Sequence, residues 1–224
     1  MPRLVSLLKD NKMTLVVALP TVNFELAEAA IAGGADALQL NIDSGMLENL
    51  DQQKESICKI VDCVKHPIGI SFGKTTQVND QQIKQLAEIG FDFINLGLEH
   101  YHGEVTRLKR VSKILSLNSR FTLEELVDID KLGVMALDAA IVPVSGKGEN
   151  LLVGDLQNYI SIAASAGLPV IVPTQRIILP SEVAIIADTG AKGLLLTSVV
   201  TGTTAKHIAD KVGQFRLAVD ELAQ

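Results

Sequence analysis

Residues 167–207 read GLPVIVPTQRIILPSEVAIIADTGAKGLLLTSVVTGTTAKH, and this stretch decides the fold. Two apolar runs, Val170 to Val172 and Leu194 to Leu196, flank one amphipathic segment of about three helical turns. The order is therefore strand, loop, helix, strand and the start of another helix. Strands joined through a helix pair in parallel and lie buried under their helices. The pattern is the closing βαβα of a parallel barrel.

Upstream the same unit recurs. Strand candidates run from Leu15 to Pro20, Ala37 to Ile42, Pro67 to Gly73, Phe93 to Leu98, Lys113 to Leu117 and Val134 to Val142, each followed by a helical pattern or a polar loop. With the two strands of the closing stretch they complete an α/β fold, a single (β/α)8 TIM barrel spanning residues 1–224 as one domain, a usual size for it. Helices are expected over Phe24–Ala32, ended by Gly33-Gly34, over Gln52–Val64, Gln81–Ile89, Glu104–Arg110, Gly154–Ala166 and Thr204–Leu222. A further helix starts at Thr122, with Glu125 completing a capping box, and runs to Gly133. A short helix around Leu4 to Lys9 is placed to plug the barrel's bottom. No linker or low-complexity tract interrupts the series.

The composition is 47% hydrophobic without Trp, as suits a sheet buried on both faces. The formal charge is −6, with 20 basic and 26 acidic residues and no long run of one sign, which disfavours a nucleic-acid partner. No apolar run reaches the roughly 18 residues of a membrane span, and the Met-Pro-Arg start lacks a signal-peptide core. The expectation is a cytoplasmic protein with no membrane partner. Cys58 and Cys63 fit neither a CxxC nor a metal-ligand spacing and read as reduced structural thiols.

Strand parity selects candidate site residues. Alternation turns Gln39, Asn41 and Asp43 toward the interior and mouth, and likewise Asn95, Gly97 and Glu99, while small Gly69, Ser71 and Gly73 leave inward room. In such barrels the loops after the last two strands, with a helix N-terminus, favour an anion. That cup holds Thr174, Gln175 and Arg176 on one side and Thr197, Ser198, Gly202 and Thr203 on the other, with Asn41 at the mouth. The Arg176 guanidinium fits phosphate oxygens or pairs with Glu182 on the rim. Thr197 and Ser198 bind phosphate or cap the following helix. The loop Ser145-Gly146-Lys147-Gly148 lets backbone approach a ligand or is a solvated turn.

For proton transfer the candidates are Glu99, just past a strand's C-terminal end, Lys74, and Asp138 in an otherwise apolar strand. The competing readings are a Glu99–Lys74 ion pair, a solvated Lys74 and a hydrogen-bonded structural Asp138. Within Glu99-His100-Tyr101-His102, the two histidines with Asp43 offer nitrogen and oxygen ligands for a divalent metal, but one strand supplies both histidines. No metal or other cofactor is required.

The runs Gln175-Arg176-Ile177, Pro180-Ser181-Glu182 and Thr197-Ser198-Val199-Val200-Thr201 resemble the ribulose-phosphate-binding barrel superfamily. Within it the chain looks most like N-acetylmannosamine-6-phosphate 2-epimerases, whose strand seven reads roughly Glu-Gly-Arg-Ile before a Pro-Glu helix and whose strand eight enters a Gly-Ser-Ala-Ile-Thr turn. Weaker similarity continues through Gly33-Gly34-Ala35-Asp36, Pro67-Ile68-Gly69-Ile70 and Thr122-Leu123-Glu124-Glu125. The resemblance implies a small phosphorylated metabolite, most simply a sugar phosphate, an isomerase or epimerase or a related lyase, and a homodimer. The sequence departs from it where the family's acid falls on Thr174 or Gln175 and where its catalytic lysine falls on Phe72, with Lys74 after it. Those departures favour the alternative of a non-catalytic phosphate-ligand sensor or complex subunit. A third reading is a thiamin-phosphate-synthase-like or prenyltransferase-like barrel that takes a pyrophosphate substrate with Mg2+.

Overall fold

The computed structural model describes residues 3–43, 45–46, 50–72, 79–101, 103–109 and 111–222. The candidates Lys74 and His102, and the inward Gly73, lie outside the described residues. Strands β1 (Thr14–Leu19), β2 (Ala37–Ile42), β3 (Ile68–Phe72), β4 (Phe93–Gly97), β5 (Ser112–Ser116), β6 (Ala136–Asp138), β7 (Val170–Pro173) and β8 (Gly193–Leu196) pair in chain order. All pairs are parallel, and β8 closes on β1 through the register Thr14↔Gly193 to Val17↔Leu196. This is a (β/α)8 TIM barrel. Its helices are α1 (Arg3–Asp10), α2 (Phe24–Ala32), α3 (Leu50–Cys63), α4 (Asp80–Glu88), α5 (Gly103–Arg107), α6 (Val153–Ala166), α7 (Val183–Asp188), α8 (Ser198–Thr201) and α9 (Ala205–Glu221). Among the described residues, no helix is long and apolar enough to cross a membrane. Cys58 and Cys63 are free thiols.

Period two divides the core. Leu38, Leu40 and Ile42 of β2, like Val170 and Val172 of β7, point outward into the layer shared with the helices. Val16, Phe93, Ile114, Ile171 and Leu195 point inward and meet Leu4 and Leu8 of α1, which plugs the bottom. Two glycines mark where this interior is full. A Cβ on Gly193 would lie 2.8 Å from Leu8 Cδ2, and one on Gly69 would lie 2.2 Å from the Phe93 ring. The room that the sequence leaves at Gly69 is therefore occupied by Phe93, and the site lies higher in the barrel.

The bottom turns reuse one device. Gly34 and Gly90, with φ of 98° and 97°, lead the chain into β2 and β4 through Asp36 and Asp92. Asp36 accepts from Leu15 N–H and Arg216; Asp92 accepts from Ile68 N–H and the fork of Arg3. Strand starts are thus fastened to α9 and α1.

Two expectations change. The helix expected from Thr122 to Gly133 is instead two 3-10 turns, Leu123–Leu126 and Ile129–Leu132, broken where Asp128 adopts a left-handed φ of 59°. Leu126 and Ile129, one from each turn, are both buried. The capping interaction survives, with Thr122 N–H donating to Glu125 at 3.2 Å. Strand six is likewise shorter than Val134 to Val142, because Ala140 and Ile141 donate to carbonyls only two residues back, at 2.9 and 2.8 Å, which turns the chain off the ladder.

Candidate functional site at the barrel mouth

Above the apolar layer, alternate strands contribute polar inward residues. Gln39 on β2, Asn95 on β4 and Asp138 on β6 are all buried. Asn95 Nδ2 donates to Asp138 Oδ2 at 2.8 Å and to Gln39 Oε1 at 3.1 Å. Gln39 Nε2 in turn donates to Asn41 Oδ1 at 3.3 Å, and Asn41 is exposed at the mouth. A polar chain therefore crosses the barrel from solvent to a buried carboxylate. Alternation turns Gln39, Asn41 and Asn95 inward in the sequence but gives Gln39 and Asn95 no role of their own; inward amides on two strands, with the lone Asp138 of a third, were the available signal.

Glu99 sits on a 3-10 turn, Leu98–His100, that follows β4. A Cβ on Gly97 would lie 2.6 Å from Glu99 Oε1, so the carboxylate folds back over the inward face of Gly97, two residues above Asn95. Its side chain is 48% exposed, and Oε1 lies 4.0 Å from Nε2 of the largely buried His100. Tyr101 donates to Leu132 O at 3.4 Å, and burial pushes its phenol up to about 12. Glu99, in contact with water, thus stands above Asn95 on the same strand end, and Asp138, shielded from water, is hydrogen-bonded to Asn95.

The rim beside β6 and β7 is zipped together. Arg176 Nε donates to Asp155 Oδ2 at 2.8 Å, while Nη1 donates to Gly146 O at 2.8 Å and to Glu149 at 3.1 Å. The hydrogen bond that it donates to Asp155, outweighing desolvation, holds the guanidinium above its ordinary range. Gln175 Oε1 accepts from Val142 N–H at 3.0 Å, Gly148 N–H donates to Gln175 O at 2.9 Å, and Asn150 bridges Ile177. Gly146 is needed in this packing, since a Cβ there would lie 2.7 Å from Arg176 Nη1. Glu182 does not meet Arg176; it accepts from Leu179 N–H at 2.7 Å.

Thr174 is wholly buried, and its hydroxyl accepts from Thr197 N–H at 2.8 Å. Thr197 Oγ1 donates to Thr174 O at 2.8 Å and caps α8 at Val199 N–H. In this arrangement the side chains of Thr174 and Thr197 are turned on one another, as are Arg176 and the Gly146 carbonyl, so that these residues frame the rim. Ser145 and Ser198 remain exposed on that frame, beside Gly202 with its φ of 67°. Sequence reading missed Asp155 and Glu149, which no local motif ties to Arg176.

Asp43 Oδ1 accepts from Met46 N–H at 2.8 Å, and among the described residues no group of three or more His, Cys, Asp or Glu side chains is placed to hold a metal ion. Phe72 points outward and packs between barrel and helices.

No family model matches the chain, and no curated protein matches it. Solved structures do. Thiamine phosphate pyrophosphorylase from Pyrococcus furiosus is 18% identical, with 96% of this chain and 98% of that chain covered and a TM-score of 0.71. Phosphoribosyl anthranilate isomerase from Thermus thermophilus is 18% identical over 94% of this chain and 100% of that one, with a TM-score of 0.68. A mutant tryptophan synthase α-subunit from Pyrococcus furiosus is 14% identical over 91% and 97%, with a TM-score of 0.70. At these identities the likeness is one of fold.

Proposed function

We propose that the barrel mouth binds a small sugar phosphate and that Asp138 and Glu99 transfer a proton beside its carbonyl, as an isomerase, epimerase or related lyase requires. The observation that carries this reading is the buried Asp138 carboxylate, hydrogen-bonded by Asn95 in the polar layer near the C-terminal ends of the strands. A carboxylate inside a barrel core is costly to desolvate, and an apolar residue would pack there at less expense. A dry carboxylate below a solvent-facing one is a pair of environments suited to base and acid roles. The phosphate is assigned to Ser145, Ser198 and Gly202 on the zipped rim, which puts the carbon chain over the floor. Support for a phosphorylated ligand comes also from the neighbours, two of which are named for a phosphate or phosphoribosyl compound. Lys74, two residues beyond β3, joins the proposed proton-transfer set.

One observation favours a second reading, that of a sensor without catalysis. Phe72 faces outward and Thr174 is fully buried, so neither replaces the lysine and acid of the resembled epimerases.

The test begins with melting temperatures in EDTA and in Mg2+ against inorganic phosphate, ribulose 5-phosphate and N-acetylmannosamine 6-phosphate. Bound compounds are then followed by NMR in D2O for deuterium entering at the carbon beside the carbonyl. The expected result is exchange that falls at least about 100-fold in Asp138→Asn and in Glu99→Gln while the melting shift persists. Binding without exchange in the wild type supports the sensor, Mg2+-dependent binding supports a pyrophosphate ligand, and no shift with any compound overturns the phosphate reading.

A further inference from the structure

The floor of the mouth has an acceptor that the protein leaves unanswered. Asn95 is 3% exposed, and its side chain donates twice from Nδ2, while Oδ1 is buried with no hydrogen-bond partner. Its amide orientation is fixed, because turning it over would set Oδ1 against the Asp138 carboxylate and forfeit both donations. Native folds rarely strand a buried side-chain oxygen, so this one calls for a donor. On the same inward face, Gly97 is the next residue toward the mouth and carries no side chain to supply one. The adjoining floor oxygens, those of Asp138 and the bound Gln39 Oε1, are acceptors too.

We propose that Asn95 Oδ1 accepts a hydrogen bond from a hydroxyl of the ligand, and that Asn95 is thereby a specificity-determining residue that selects polyhydroxy chains. This rests on the site reading above and adds an orientation to it: the hydroxyl-bearing carbons descend toward β4 and β6, while the anionic end stays on the rim. Among the described residues the floor meets Asn95 with oxygens, which suits a hydroxyl donor there and not a carboxylate or phosphate.

The experiment measures dissociation constants for ribose 5-phosphate, ribulose 5-phosphate and glucose 6-phosphate, for their mono-deoxyfluoro analogues, and for the corresponding free sugars. Fluorine keeps the size of a hydroxyl but cannot donate. The wild type is expected to lose at least about tenfold in affinity at one hydroxyl position. In Asn95→Ala that penalty shrinks to within about threefold, and the affinity for inorganic phosphate is unchanged. Esters that bind with no sensitive position overturn the proposal and leave the phosphate reading standing, as does a penalty that persists in Asn95→Ala. Free sugars that bind with an Asn95-dependent penalty while no ester binds support Asn95 and overturn the phosphate. Failure of every compound to bind overturns both. Should Asn95→Ala fail to fold, the wild-type fluoro series decides, because a site without a sensitive hydroxyl refutes the proposal directly.

Discussion

At the scale of single residues, the site depends on a side chain that is missing. Gly97 has φ of −66° and ψ of 157°, a conformation any residue adopts, so its identity answers to space and not to backbone strain. The space belongs to the Glu99 carboxylate, 2.6–2.7 Å from where a Cβ would stand. Gly97→Ala is therefore expected to leave stability unchanged or raise it by up to about 1 kcal/mol through the unfolded chain. Displacing Glu99 is expected to slow solvent deuterium exchange into a bound sugar phosphate by about tenfold or more. Urea denaturation and exchange rates on the same preparation separate the two effects, and a variant with normal exchange removes Glu99 from the proposed chemistry. Arg176 gives the opposite lesson. Its residue type suits phosphate, yet its fork is committed to Asp155, 21 positions away in sequence. Nothing local encodes that pairing, whereas the inward direction of Asn95 follows from alternation alone.

At the scale of elements, the strands were legible because period two and the glycine turns mark them. The bounds of β2 coincide with the expected strand Ala37 to Ile42, and α6 and α9 fall within a residue of their expected starts. The segment 122–133 was not legible, since its apolar residues fit a helical period and the break comes from one backbone angle. Asp128 holds that break with φ of 59° and ψ of 18°, and its carboxylate pairs with Lys131 at 2.7 Å in an exposed position. Asp128→Val is expected to cost about 1–2 kcal/mol, since a β-branched residue resists the left-handed region. Asp128→Asn is expected to stay within about 0.5 kcal/mol, because the surface pair contributes little. Equal losses in the two variants, measured by urea denaturation, would assign the effect to the ion pair and not to the backbone.

At the scale of the whole molecule, one buried cation couples stability to pH. Lys113 of β5 is 7% exposed, and its Nζ donates to Thr106 O at 2.7 Å beneath the Gly133 turn. Burial lowers its pKa from 10.5. Between that lowered value and 10.5 the unfolded chain binds more protons than the folded one, so stability rises with pH across the window and the penalty is complete below it. The slope from this one proton is at most about 1.4 kcal/mol per pH unit. Replacing it by Lys113→Met is expected to flatten that rise in a series of melting temperatures above neutral pH; an unchanged slope assigns the effect to other groups.

Ring closure has a consequence for the chain while it is being made. Thr14 pairs with Gly193, so β1 keeps a bare edge until synthesis has passed Leu196. Any sheet formed before then has first and newest strands that both offer unpaired amides and carbonyls, with apolar residues on either side. Such edges accept strands from other chains, and on a polysome identical copies are the nearest donors. Only the last of the eight strands ends that exposure.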